Sequence, residues 1–120
     1  MADFRNLTVW QEAMNLTVLI YTITENLPKE EIYGLQSQLR RAAVSIPSNI
    51  AEGYGRNSDK ELLHFLSIAS GSIAEIETQT ELCLRLKFFS ADEVRPISKQ
   101  ISVVRRLLTG FINTVNNTKK

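Results

Sequence analysis

Apolar residues return at steps of three and four in four separate stretches of this 120-residue chain, and nowhere do they alternate by two as in a half-buried strand. A helix turns once in about 3.6 residues, so that spacing gathers the apolar side chains on one face. The first stretch, Leu7, Trp10, Met14, Val18 and Tyr21, predicts a helix over about 7–25. Asn26-Leu27-Pro28 ends it, because proline disfavours helical backbone in the residue before it. The second starts near Glu31 and carries Leu35, Leu39, Ala42 or Ala43, Ile46 and Ile50. Gly53-Tyr54-Gly55 is expected to stop it, giving a span of 31–54. Pro47 lies inside this pattern, removing the amide that would bond to the Ala43 carbonyl and clashing there. The expectation is a kink between Ala43 and Pro47 in a continuing helix, with a full break as the alternative.

Two sequence signals mark the other starts. Ser58-Asp59-Lys60-Glu61 and Ser90-Ala91-Asp92-Glu93 each read as a capping box, in which the serine hydroxyl accepts from the glutamate amide and the glutamate reaches back to the serine amide. After the first come Leu62, Leu66, Ala69, Ile73, Ile76, Thr80 and Cys83, a helix over about 59–87. After the second come Val94, Ile97, Ile101, Val104, Leu108, Phe111 and Val115, a helix over about 91–115. Pro96 falls near the start of the last helix, where a missing amide costs little. The tail, 116–120, is expected to fray.

Four helices joined by short connections bury their stripes by running up and down alternately. The predicted fold is therefore all-α, an up-down-up-down antiparallel four-helix bundle forming one domain over 1–120. At 43% hydrophobic and 22% charged residues the chain has the composition of a globular protein that folds on its own. A single cysteine, Cys83, excludes an intramolecular disulfide, and the amino terminus carries no secretory pattern, so the expected compartment is the cytoplasm. No apolar run approaches the roughly 20 residues of a membrane span. Formal net charge is +1, so any contact with polyanions has to come from local patches.

A bundle helix needs about three apolar positions in seven. The first helix holds Val9, Leu16, Leu19, Ile20 and Ile23 besides its stripe, the third adds Leu63 and Phe65, and the fourth Leu107 and Ile112. This surplus predicts apolar surface outside the monomer core and hence self-association. Helix two also carries a polar stripe, Ser37, Arg41, Ser45, Ser48, Glu52 and Arg56, readable as a solvated face or as a subunit or ligand contact. The candidate oligomer interface is therefore Val9, Leu16, Ile20, Ile23, Ser45, Ser48, Asn49, Glu52, Leu63 and Phe65.

Catalytic chemistry finds little support. Glu61 and His64 are half of a carboxylate-bridged metal motif, but His64 is the one histidine and Glu61 belongs to a capping box. Cys83 sits in an apolar stripe without an activating histidine, Ser45, Ser48, Ser70 and Ser72 lack a base, and Gly53-Tyr54-Gly55 lacks the lysine of a phosphate loop. The expectation is a protein with no catalytic centre, cofactor, metal or small-molecule substrate. Basic residues gather as Arg40 and Arg41, as Arg56 and Lys60, and as Arg95, Lys99, Arg105 and Arg106. These eight are the candidate nucleic-acid contacts, and cyclic symmetry would multiply them into a rim.

Longer motifs carry a resemblance. Phe4-Arg5-Asn6-Leu7 with Val9-Trp10, Tyr33-Gly34-Leu35, the run from Gln38 to Gly53 containing Arg40-Arg41-Ala42-Ala43-Val44-Ser45-Ile46-Pro47-Ser48-Asn49-Ile50-Ala51-Glu52-Gly53, then Phe65-Leu66 and Gly71-Ser72 with Glu75 and Glu77 resemble one bacterial family. It is the four-helix bundle family named for proteins encoded in intervening sequences of 23S ribosomal RNA genes. The resemblance implies a left-handed antiparallel bundle that assembles into a homopentameric ring. It extends to the accessory variability determinant proteins of diversity-generating retroelements, which share that architecture and work with a reverse transcriptase and nucleic acid. The partners so implied are further copies of the chain and RNA, DNA or a nucleic-acid enzyme. Those accessory proteins are strongly basic, whereas this chain is nearly neutral.

Overall fold

Three of the four α-helices in this protein start where an early amide finds a side-chain acceptor. The computed structural model describes residues 3–117, with two single-turn 3-10 segments, Phe4–Asn6 and Lys29–Glu31, and four α-helices. These are α1 (Thr8–Thr24), α2 (Leu35–Tyr54), α3 (Asp59–Arg85) and α4 (Ala91–Asn117), and no strand occurs among the described residues. The capping box before α4 is complete: Glu93 N donates to Ser90 Oγ at 3.1 Å and Ser90 N to Glu93 Oε1 at 2.8 Å. At α3 the Ser58 hydroxyl accepts from Glu61 N at 3.2 Å, but the returning contact runs from that hydroxyl to the Glu61 carboxylate instead of from the Ser58 amide. The predicted start of α2 near Glu31 moves to Leu35. Glu31 folds back so that its Oε1 accepts from Leu35 N at 3.0 Å, and Gly34 leaves room for this, since a Cβ there would lie 2.6 Å from the same oxygen.

The predicted ends hold within a few residues. The carboxyl end of α3 closes in a Schellman motif, with Phe88 N donating to Cys83 O at 2.9 Å and Lys87 N to Leu84 O at 3.1 Å. Lys87 occupies the left-handed position with φ 64°. Gly53 does not stop α2 but lies inside it, and Gly55 caps it in right-handed conformation. What Gly53 supplies is space: a Cβ there would stand 2.8 Å from Phe65 Cβ and 3.3 Å from the Leu62 carbonyl oxygen. α4 runs through Asn117, so fraying at Asn116 and Asn117 is not seen, and positions 118–120 lie outside the described residues.

Pro47 leaves α2 unbroken, which removes the full-break alternative. The Ala43 carbonyl that it deprives of an amide faces α1, where the Thr17 hydroxyl lies 3.1 Å from it and 2.9 Å from Ala13 O, its single proton shared between the two.

The inward face of α1 corrects the sequence reading. Val9, Ala13, Leu16, Ile20 and Ile23 are buried, while Met14, Val18 and Tyr21 are exposed. The chain offers two apolar stripes on this helix, and the inward one runs in strict steps of four and three. It was hidden because small Ala13 and polar Thr24 occupy core positions. Val9, Leu16, Ile20 and Ile23 are thus core residues and not surplus surface. On α2, α3 and α4 the predicted stripes face inward as expected.

Each helix packs against its two sequence neighbours in a closed cycle, α4 returning to α1, and across one diagonal the Tyr54 ring at the end of α2 lies 6.3 Å from the Phe111 ring of α4. Polar ties lock every adjacent pair. Arg40 Nε donates to Thr24 Oγ1 at 2.9 Å between α1 and α2. The Ser72 hydroxyl meets that of Ser45 at 2.9 Å between α2 and α3. Arg105 grips Glu77 with two bonds between α3 and α4, and Gln100 Nε2 reaches Glu12 O at 2.9 Å between α4 and α1. The pairings 17 with 43 and 24 with 40 between α1 and α2, and 45 with 72 and 38 with 79 between α2 and α3, run in opposite order along the chain, which is the antiparallel bundle. It measures 48 × 23 × 20 Å.

Candidate binding surfaces

Half of the eight basic candidates are already held by the fold. Arg40 lies over the Tyr21 ring at 4.6 Å and donates to Tyr21 O and Thr24 Oγ1, which places a cation at the carboxyl end of α1, where the helix dipole favours it. Arg56 pairs with Glu52 at 2.7 Å and covers the Phe65 ring, and Arg95 pairs with Asp92 at 2.8 Å. Arg105 makes its two bonds to Glu77 at 2.7 and 2.5 Å. That guanidinium holds the Glu77 carboxyl below its ordinary range and lifts the Arg105 value in return. Arg41, Lys60, Lys99 and Arg106 have no ion-pair partner among the described residues. They lie on α2, the start of α3 and α4. Since α2 and α4 are diagonal, one chain does not bring them into a single patch.

The apolar surface left outside the core is different from the expected one. Val18 is 63% exposed and Tyr33 95%, with Met14, Tyr21 and Ile32 also open to solvent. Met14, Val18 and Tyr21 line a shallow groove of about 250 Å³ along α1, completed by Thr17, Thr22 and Glu25. Leu63 and Phe65 are half-buried, Phe65 beneath Arg56 and edge-on to His64 at 5.6 Å.

The polar stripe of α2 meets polar residues of α3 that the spacing argument passed over. Gln38, Arg41, Ala42 and Ser45 from α2 face Ile68, Ser72, Glu75 and Gln79 from α3 across a groove of about 460 Å³. Small side chains at Ala42, Ser45 and Ser72 let the two helices approach closely. Ser45 anchors the floor: its hydroxyl accepts from Ser72 Oγ and from Asn49 Nδ2, each at 2.9 Å. Gln79 donates to Gln38 Oε1 at 3.3 Å, and its own Oε1 has no partner. Arg41 and Glu75 project from opposite walls without forming an ion pair. Ser48 and Glu52 lie outside this groove and line a second, with Phe4 and Arg56. One signal in the sequence did mark the α3 wall: Ser72 and Gln79 stand seven residues apart at the edge of an otherwise apolar stripe.

Cys83 is fully buried, and burial first, with the Glu31 carboxylate second, pushes its thiol up to about 11. The thiolate needed for a nucleophile is thereby disfavoured. Among the described residues no group of three or more His, Cys, Asp or Glu side chains converges, and the Glu61 carboxylate accepts from the Ser58 hydroxyl. No helix of the described residues is long and apolar enough to cross a membrane.

Fold and surface together define an antiparallel four-helix bundle protein with a complete core and polar grooves on its outside. The chain belongs to the 23S rRNA-intervening sequence protein family, whose model matches residues 5–110. Its fold is shared by a protein of unknown function from the S23 ribosomal protein family of Bacteroides thetaiotaomicron. The crystal structure of that protein superposes with a TM-score of 0.78 at 23% identity, covering 88% of this chain and 98% of that one. At that identity the likeness speaks for the fold alone. No curated protein matches the chain.

Proposed function

We propose that the protein is a non-catalytic, cytoplasmic binding module that works as a homo-oligomer and contacts RNA through basic residues summed over the assembly. The observation that carries the first half is the outer stripe of α1. Met14, Val18 and Tyr21 remain exposed although the core is already closed by the opposite face, and a contiguous apolar stripe of this kind is characteristic of an interface. The family resemblance favours a pentamer. For the second half, the support is the set of four unpaired cations, Arg41, Lys60, Lys99 and Arg106. They are scattered on one chain and repeated by symmetry in a ring. A protein-binding scaffold without a nucleic-acid role is the second reading, favoured by the near-neutral charge and the polar α2/α3 groove.

Native mass spectrometry of the purified chain, with and without structured RNA at low and at raised salt, tests both halves. The expected result is an oligomer that retains RNA and loses it steeply as salt rises. A monomer at all working concentrations sinks the assembly reading, and an oligomer that ignores RNA and DNA even at low salt leaves the scaffold reading in its place.

A further inference from the structure

Independently of the RNA reading, and deepening the protein-binding one, we infer that the α2/α3 groove is a binding site for an extended polypeptide segment of a partner, one that presents an acidic and a basic side chain next to each other. Arg41 and Glu75 stand on opposite walls of one groove, and neither has an ion-pair partner among the described residues, so the groove offers a cation and an anion at once. Consecutive side chains of an extended strand point to opposite sides. Neighbouring acid and base residues of a bound segment therefore face α2 and α3 respectively, and each meets its complement.

The floor favours a peptide backbone. The hydroxyls of Ser45 and Ser72 and the amides of Gln38 and Gln79 are small, neutral donors and acceptors. Gln79 is 8% exposed, and its Oε1 lacks a hydrogen bond, a deficit that a backbone N–H of the segment would repair. Gln38 is exposed and held to Gln79 by a single 3.3 Å bond, so it is the side chain that has to swing aside. Beyond the serines the groove ends at Ile68, 40% exposed, which gives an apolar anchor point. From Ile68 to Gln79 the helix rises about 16 Å, the reach of about five extended residues.

The test is fluorescence anisotropy with two labelled, end-blocked peptides, acetyl-Leu-Ser-Glu-Lys-Ala-amide and acetyl-Leu-Ser-Lys-Glu-Ala-amide. A Gln-Gln analogue and a short uridine oligomer serve as competitors, and the protein is the full chain as wild type and as Val18→Glu, so that a groove covered by assembly is also opened. One charge order is expected to bind, with dissociation constants on the order of millimolar or tighter. Arg41→Ala or Glu75→Ala should weaken it about tenfold. The double reversal Arg41→Glu with Glu75→Arg should exchange the preference between the two peptides. Both side chains are exposed, so the variants should keep the wild-type circular dichroism and melting profile. Equal binding of the neutral analogue, an unchanged preference in the double reversal, no binding to either protein, or displacement by the uridine oligomer alone overturns the inference. None of these outcomes decides whether the chain assembles.

Discussion

Lys87 adopts left-handed backbone to let α3 turn, a conformation that costs a side-chain-bearing residue about 1–2 kcal/mol and glycine almost nothing. Lys87→Gly should therefore stabilise the protein by up to about 1 kcal/mol after the added freedom of the unfolded chain is counted, read as a higher urea midpoint. Thr17 serves a carbonyl of the neighbouring helix. Because Pro47 cannot donate, Ala43 O relies on the Thr17 hydroxyl, so Thr17→Val should cost about 1 kcal/mol. In a Pro47→Ala background the restored amide can take over that carbonyl, and the cost of Thr17→Val should shrink. Equal costs in both backgrounds, measured as a double-mutant cycle, would show that the two residues are not coupled.

Pairs of helices are where close approach and polar ties set stability. α2 and α3 meet at Gly53, whose hydrogen stands where a methyl group would press on Phe65 and on the Leu62 carbonyl. Gly53→Ala gains about 1 kcal/mol of helix propensity but incurs about 1–3 kcal/mol of overpacking, so a net loss is expected on thermal unfolding. Between α3 and α4 the Glu77 carboxyl is held below its ordinary value of 4.5 by the bonds from Arg105. A depressed folded value means that the contribution is complete above the unfolded value and disappears as pH falls through the folded one. The pair is half-exposed, so the effect is below about 1 kcal/mol. Arg105→Gln should lose stability at neutral pH, and its difference from wild type should shrink as pH falls below 4.5 and close on further acidification, whereas Glu12 and Asp3, also lowered, titrate equally in both proteins.

At the scale of the whole molecule, a closed core and an open outer stripe coexist on one helix. Val18→Glu puts a charge in the middle of that stripe at a position far from the core, so it should dissociate the proposed assembly while leaving the melting behaviour of the dilute chain unchanged. Light scattering coupled to gel filtration reads the difference. An assembly of unchanged mass would place the interface elsewhere on the bundle.

The four helices, their capping serines and the inward faces of α2, α3 and α4 were legible in the sequence, because periodicity and caps are properties of a helix taken alone. The inward face of α1 was not. That segment carries two apolar stripes, 7-10-14-18-21 and 9-13-16-20-23, and its own sequence cannot choose between them. The choice fell to α2 and α4, whose packing covers the stripe interrupted by Ala13 and leaves Val18 in water. The α2/α3 groove likewise needed the third dimension: Arg41 and Glu75 are 34 positions apart in sequence, and only the antiparallel docking of two helices sets them on facing walls.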